Sequence, residues 1–112
     1  MHTHVTNHLS VPIHATTSYL GGHSKFKARN ILPGGSDVDE YNWAAWGIDI
    51  GIKAPNDGAK CCGHIVGGIS VSVWPRVVNG VAVEGFIVTQ DGGNTVVCTA
   101  DGYSDSCTWD VE

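Results

Sequence analysis

The sequence lacks any long apolar run, since no stretch approaches the ~18–20 apolar residues that a membrane-spanning helix needs. Its first residues, MHTHVTNHLSV, have no basic start followed by an apolar segment, so no signal peptide is predicted. Three cases stay open: a cytosolic protein, the mature form of a secreted protein, or a particle component released by lysis. The four cysteines favour the extracellular space or a particle surface.

Motifs of common catalytic sites are missing as well. The chain contains no Gly-x-Ser-x-Gly, no glycine-rich phosphate loop and no His-Glu-x-x-His. Asp49 has no second carboxylate in its segment to share acid–base work. The sequence therefore predicts that the protein is not an enzyme. The net charge of −5 also argues against a general nucleic-acid-binding role.

Short segments of alternating polarity make up most of the chain. Between residues 5 and 13 four of the five odd positions are apolar (Val5, Leu9, Val11 and Ile13) and nearly all even positions are polar, which is typical of a half-buried strand. The same period of two recurs at residues 46–53 and 69–73. Residues 38–46 have room for one helical turn at most. We therefore predict one all-β domain over residues 1–112, an antiparallel β-sandwich or small barrel of about seven to eight short strands.

The strongest local signal is the pair Asn79-Gly80, because both residues tolerate the positive φ of a tight hairpin turn. Pairing outward from this turn places Val73 opposite Phe86. In the segment SKFKARNIL, alternation places Ala28 on one face and Arg29, with two lysines, on the other.

Four cysteines, Cys61, Cys62, Cys98 and Cys107, allow several arrangements. A hairpin centred on residues 102–103 would bring Cys98 directly opposite Cys107, so a cross-strand disulfide is predicted there. Cys61 and Cys62 face opposite ways on a strand, which favours two separate disulfide partners or one buried free thiol. A metal site using both with His64 is disfavoured, because zinc ligands usually follow Cys-x-x-Cys spacing.

Histidine is concentrated at the start of the chain, with five of six in residues 1–23. On a strand, His2 and His4 would share a face about 7 Å apart, close enough to bind one Cu²⁺ or Zn²⁺. The alternative is an exposed polar face without metal, and no other cofactor is predicted. Asp37, Asp39 and Glu40 alternate in a way that could hold Ca²⁺, with a solvated turn as the alternative.

Aromatic residues suggest a binding surface. Tyr41 and Trp43 alternate in a loop-like segment and could form an exposed platform for a lipid headgroup, a sugar or a partner protein. Half-buried packing is the alternative for both. Trp46 and Trp74 instead fit the apolar pattern of the core.

The first third of the chain shows a strand with Asn7, a short alternating strand, the turn Gly21-Gly22 and the segment Ile31–Gly35. In this order of elements it resembles the opening of small β-sandwiches of the aegerolysin and actinoporin-like type. The resemblance implies a non-enzymatic protein that binds membrane lipid. The later part departs from it, since the chain is shorter and the pair Cys61-Cys62 has no counterpart there. No lipid-binding residue can be carried over.

Two main functions follow from these features. The first is a non-catalytic binding module that recognises a membrane lipid, a glycan or a protein surface. The second is a self-assembling structural protein, such as a coat, decoration or filament subunit. Residues 1–36 carry three bases and no acid, whereas residues 37–112 carry three bases and eleven acids, giving charges of +3 and −8. This asymmetry could direct a homo-oligomer or head-to-tail contact between copies. A histidine-cluster metal-binding protein is a third reading.

Overall fold

In a computed structural model of the protein, residues 2–18, 25–40, 48–54, 58–65, 70–91 and 95–99 are described. They form nine strands: β1 (His2–Asn7), β2 (Ile13–Ser18), β3 (Lys25–Ile31), β4 (Ser36–Glu40), β5 (Ile48–Lys53), β6 (Lys60–Ile65), β7 (Val71–Val78), β8 (Val81–Gln90) and β9 (Thr95–Cys98). Within these ranges no helix is long and apolar enough to cross a membrane.

The strands form two sheets that pack as a small β-sandwich, which confirms the predicted all-β fold. Sheet A has the order β4-β1-β7-β8-β9, and sheet B has the order β3-β2-β5-β6. Every pair is antiparallel except β1 and β7, which run parallel through Val5 opposite Val71. β4 forms where a turn or a helical turn was predicted, because residues 36–40 pair with β1 at the edge of sheet A.

The core lies between the inner faces of the two sheets. Its fully buried side chains come from alternate positions of both sheets, as the period-2 pattern predicts: Val5, Ile13, Ile52, Val71, Val73 and Phe86. Each such side chain contributes about 1.5–3 kcal/mol relative to full exposure. Ile50, Ala15 and Cys98 complete the layer between the sheets. Apolar burial is therefore what fixes which face of each strand points inward.

One side of the sandwich is closed by a disulfide between Cys61 on β6 and Cys98 on β9, whose Cα atoms are 5.3 Å apart. These are the edge strands of sheets B and A. The predicted pair of Cys98 with Cys107 is therefore wrong. Cys98 is fully buried opposite Phe86, so its thiol faces the other sheet rather than the neighbouring strand. Cys62 is also disulfide-bonded, and Cys107 lies outside the described residues.

The opposite side is closed by an ion pair between Arg29 on β3 and Asp37 on β4, with 2.8 Å between Nε and a carboxylate oxygen. Arg29 also donates to the Thr17 hydroxyl at 3.1 Å. Ala28 and Arg29 face opposite ways, as alternation predicts, and it is Ala28 that lies on the surface while the Arg29 side chain is only 12% exposed. At a sheet edge the long guanidinium can face inward and still meet a carboxylate from the other sheet.

Candidate functional site

The topology brings several connections to one end of the sandwich. β1 ends there at Asn7, β3 at Ile31 and β5 at Lys53, and the hairpin between β7 and β8 projects from the same end, because Asn7 pairs with Val73. Loops at one end of a rigid sandwich are common places for binding surfaces. The candidate site lies among these connections.

Buried Asn7 holds two of these loops in place. Its amide nitrogen donates to the carbonyls of Val11 and Ile31 at 2.9 and 3.0 Å, and its side-chain oxygen accepts from the backbone N–H of Leu9 at 2.8 Å. Its own backbone N–H donates to Gly35 at 2.9 Å. One side chain therefore fixes the loops at residues 8–12 and 32–35 relative to β1, and with them the positions of their apolar residues.

The hairpin of β7 and β8 turns at Asn79 and Gly80, whose φ values of 52° and 77° match the predicted tight turn. The predicted register is wrong by two residues. Val73 pairs with Val88 rather than Phe86, because the ladder shifts between Pro75 and Val77. Gly85 takes up this bulge at a φ of 97°. A shift of two preserves the inward face, so the core pattern is unaffected.

Both faces of the projecting part of this hairpin are apolar and exposed. Val77 pairs with Ala82 on one face, and Val78 pairs with Val81 on the other. Val77 and Val81 are 53% and 63% exposed. β1 pairs with β7 only as far as Val73, and β9 with β8 only from Phe86 onward, so no described strand flanks the tip.

Most of the large exposed apolar side chains in the described ranges collect at this end. We call the set formed by this hairpin and an adjoining loop the apolar end: Leu32, Val77, Val78, Val81 and Val83. Leu32 is 70% exposed and follows directly on β3. A groove of about 180 Å³ separates the hairpin from the neighbouring loops and is lined by Leu9, Val11, Ala54, Pro75, Ala82 and Val83, among others. Clusters of exposed apolar residues are common at interaction sites, so the apolar end is the candidate site.

Basic residues border the apolar end. Lys53 and Lys60 pair with each other across β5 and β6 at this end of sheet B. Arg76 lies at the base of the hairpin, where its guanidinium donates to the carbonyl of Glu84 at 3.2 Å. In the parts of these elements that the structure describes, three cations accompany two carboxylates, Asp49 and Glu84, although the protein as a whole carries −5.

Trp74 lies on the outer face of sheet A, directly before the hairpin. Its indole stacks on the ring of His8 with centroids 3.8 Å apart and planes 6° from parallel, and its N–H donates to the Thr89 hydroxyl at 2.8 Å. It is 41% exposed, so the prediction that Trp74 belongs to the core is wrong. Val71 and Val73 take the inward positions of β7, which leaves position 74 on the outside.

Among the other predicted site residues, the structure describes the two histidines of β1. Tyr41 and Trp43, and also Trp46, lie outside the described residues. His2 and His4 share a face of β1, opposite Glu40 and Val38 of β4. Over the described ranges, no group of three or more histidine, cysteine or acidic side chains is placed to hold a metal ion. Metal binding by the two histidines stays a prediction.

Sequence reasoning missed the apolar hairpin, although a signal was present. In the segment VVNGVAV, apolar residues occupy consecutive positions on both sides of the turn, so neither face of the ribbon is polar.

Comparisons with protein families, with curated proteins and with solved structures found no match to this chain.

Proposed function

We propose that the protein is a non-catalytic binding module that attaches to membrane lipid through its apolar end. The observation that carries the proposal is the two-faced apolar hairpin. A partner protein would typically cover one face of such a ribbon and leave the other in water. A lipid interface surrounds an inserted hairpin and covers both faces.

The loops beside the hairpin support the same attachment. Leu32 is 70% exposed on the loop that Asn7 holds at the same end of the sandwich, and it would meet the outer part of the bilayer. Lys53, Lys60 and Arg76 would then lie near the phosphate groups, and each base close to an anionic membrane contributes about 1 kcal/mol. The resemblance of the first third of the chain to aegerolysin and actinoporin-like proteins is in keeping with a lipid ligand.

The expected strength is that of a reversible attachment. The hairpin valines are about half exposed, so immersing each one gains about 1 kcal/mol, half or less of the value for full burial. Four valines together gain about 4 kcal/mol before the costs of association. A contribution from anionic lipid is then needed for firm binding.

A disulfide between the two sheets suits an oxidising compartment, and we place the protein outside the cell or on a particle surface.

Co-sedimentation with vesicles tests this function. The wild-type protein should sediment with phosphatidylcholine vesicles and more strongly when phosphatidylserine is added. Val77→Asp should abolish sedimentation, because it places a charge in the inserted hairpin. Val97→Asp is the matched control, since Val97 is also 53% exposed but lies on β9, away from the tip. Its binding should equal that of the wild type.

Failure of the wild-type protein to bind either vesicle would overturn the proposal, as would equal loss of binding in both variants. Sedimentation velocity without lipid tests the main competing function, which is self-assembly. If the wild type forms oligomers at low and high salt and Val77→Asp is a monomer, the apolar end is occupied by a second copy. The protein would then be a self-assembling structural protein.

A further inference from the structure

The indole of Trp74 is held rigid while remaining exposed. His8 stacks on one side of it, and the hydrogen bond to Thr89 fixes its rotation. A large side chain that is already ordered loses little conformational entropy when a ligand packs on it. Trp74 therefore presents a preorganised apolar surface with a polar edge, beside the base of the apolar hairpin.

A row of hydroxyl groups crosses sheet A next to this indole. In register, one residue from each of the five strands contributes: Ser36, Thr6, Ser72, Thr89 and Thr95. The backbones of neighbouring members are about 4.8 Å apart, and the Cα atom of Ser72 lies about 7 Å from that of Trp74 along β7. The indole of Trp74 reaches back to the row through its hydrogen bond to Thr89. All five are half-buried or exposed. Neither this row nor the adjacent row of His8, Trp74, Ile87 and Val97 contains an acidic residue, a lysine or an arginine.

This combination of groups fits an uncharged ligand with both an apolar face and many hydroxyls. A pyranose ring has C–H groups on one face, which pack on an indole, and hydroxyls around its rim, which exchange hydrogen bonds with serine and threonine. We propose that the outer face of sheet A around Trp74 binds a pyranose sugar. The position of Trp74 favours a sugar carried as the headgroup of a glycolipid.

The distance along the hairpin supports this source. Val78 lies four residues beyond Trp74 on the same strand, which is about 13 Å in extended geometry. If the hairpin enters the outer part of the bilayer, Trp74 lies at the level of the headgroups. This choice of source rests on the proposed attachment to membrane lipid, whereas the sugar site itself depends only on Trp74 and the hydroxyl row.

Vesicle binding with and without glycolipid tests the proposal. We expect the wild type to bind phosphatidylcholine vesicles containing glucosylceramide or galactosylceramide about 10-fold more tightly than vesicles without them, which corresponds to about 1.4 kcal/mol. Trp74→Ala should lose this enhancement and keep the binding to sugar-free vesicles. Val77→Asp should lose binding to all vesicles. Trp74→Phe, which retains an aromatic face, should keep part of the enhancement.

Titration with a free oligosaccharide separates the two proposals. The indole N–H resonance of Trp74, identified by its absence in Trp74→Phe, should shift saturably with cellotetraose or a β-galactoside trisaccharide. If that shift occurs in a protein that binds no vesicle, the sugar site holds and the membrane attachment fails. Equal affinity for vesicles with and without either glycolipid, together with no shift on titration, would overturn the sugar site.

Discussion

Gly85 of β8 lies so close to Cys98 of β9 that a Cβ atom at position 85 would overlap the Cys98 carbonyl oxygen. Gly85 also adopts a φ of 97°, a conformation that side chains rarely accept. This single contact joins three features: the bulge that shifts the hairpin register, the edge strand of sheet A, and the disulfide that closes the sandwich. The direction in which the apolar hairpin projects therefore depends on it.

Gly85→Ala should lower the free energy of unfolding by more than about 2 kcal/mol, because backbone strain and overlap with a carbonyl oxygen add together. Gly34→Ala is the matched control. Gly34 also has a positive φ, 75°, but a Cβ there meets no atom within 4 Å. We expect it to cost about 1 kcal/mol. Urea unfolding of both variants measures the difference, and equal losses would show that the close approach to Cys98 has no energetic effect.

The Cys61–Cys98 disulfide should be a major source of stability. It closes a loop across a sequence separation of 37 residues. In the chain-entropy model a loop of that length contributes about 3.5–4 kcal/mol. The double variant Cys61→Ala/Cys98→Ala should therefore melt well below the wild type in thermal unfolding without reductant. A melting temperature equal to that of the wild type would contradict this prediction.

The pairing itself can be tested by removing cysteines two at a time. Cys62→Ser/Cys107→Ser retains Cys61 and Cys98 and should form one disulfide, seen as the loss of two thiols in a labelling assay. Cys61→Ser/Cys62→Ser retains Cys98 and Cys107 and should keep two free thiols when the protein is unfolded in denaturant for labelling, because Cys98 is buried in the folded protein. A disulfide in this second variant would instead favour the hairpin pairing that the sequence predicted. In the wild type we expect Cys62 to pair with Cys107.

Arg29 and Asp37 should be energetically coupled. Their ion pair is partly buried, with side-chain exposures of 12% and 32%, so water screens it only in part. A double-mutant cycle with Arg29→Met and Asp37→Asn should give a coupling energy of about 1 kcal/mol in urea unfolding. Arg76→Met, which affects an exposed guanidinium at the hairpin base, should cost less than about 0.5 kcal/mol. A coupling near zero would show that the two strands are joined by apolar contacts alone.

Asn7→Asp should destabilise the protein by about 3 kcal/mol or more, because a buried carboxylate would face the carbonyls of Val11 and Ile31. Asn30→Asp serves as the control, since the Asn30 side chain is exposed and shares a surface hydrogen bond with His14. Chemical unfolding should show little effect there. If Asn7→Asp were equally mild, the loops at the apolar end would not depend on the Asn7 hydrogen bonds.

Two features of the fold could be predicted from the sequence: the inward faces of strands, from the alternation of polarity, and the hairpin turn, from its residue types. The inward positions of β1, β5 and β7 followed from period-2 patterns, and the turn at Asn79 from the positive φ that it and Gly80 accept. Features decided by contacts between distant strands were not predictable. Cys98 faces the other sheet rather than its own hairpin, and Arg29 turns inward because a carboxylate from β4 lies beside it.

The candidate site was predicted least well, for a physical reason. Sequence patterns report which residues can be buried, and they rank an apolar residue such as Trp74 as core. Exposure of the apolar hairpin results from the neighbouring strands ending early, and that depends on the pairing of the whole sheet. Tyr41 and Trp43 were favoured because their segment looked like a loop, and their role as a platform stays a prediction.

The parallel pairing of β1 with β7 has a consequence for the order in which the chain folds. During synthesis the first strand is made long before its partner, which begins some 65 residues later, at Val71. The hairpin of β7 and β8 can form from local contacts as soon as it emerges, but sheet A is complete only when β1 has joined it. Until then β1 and the apolar hairpin both present unpaired edges. We therefore expect slow folding, with aggregation during refolding as its main competitor.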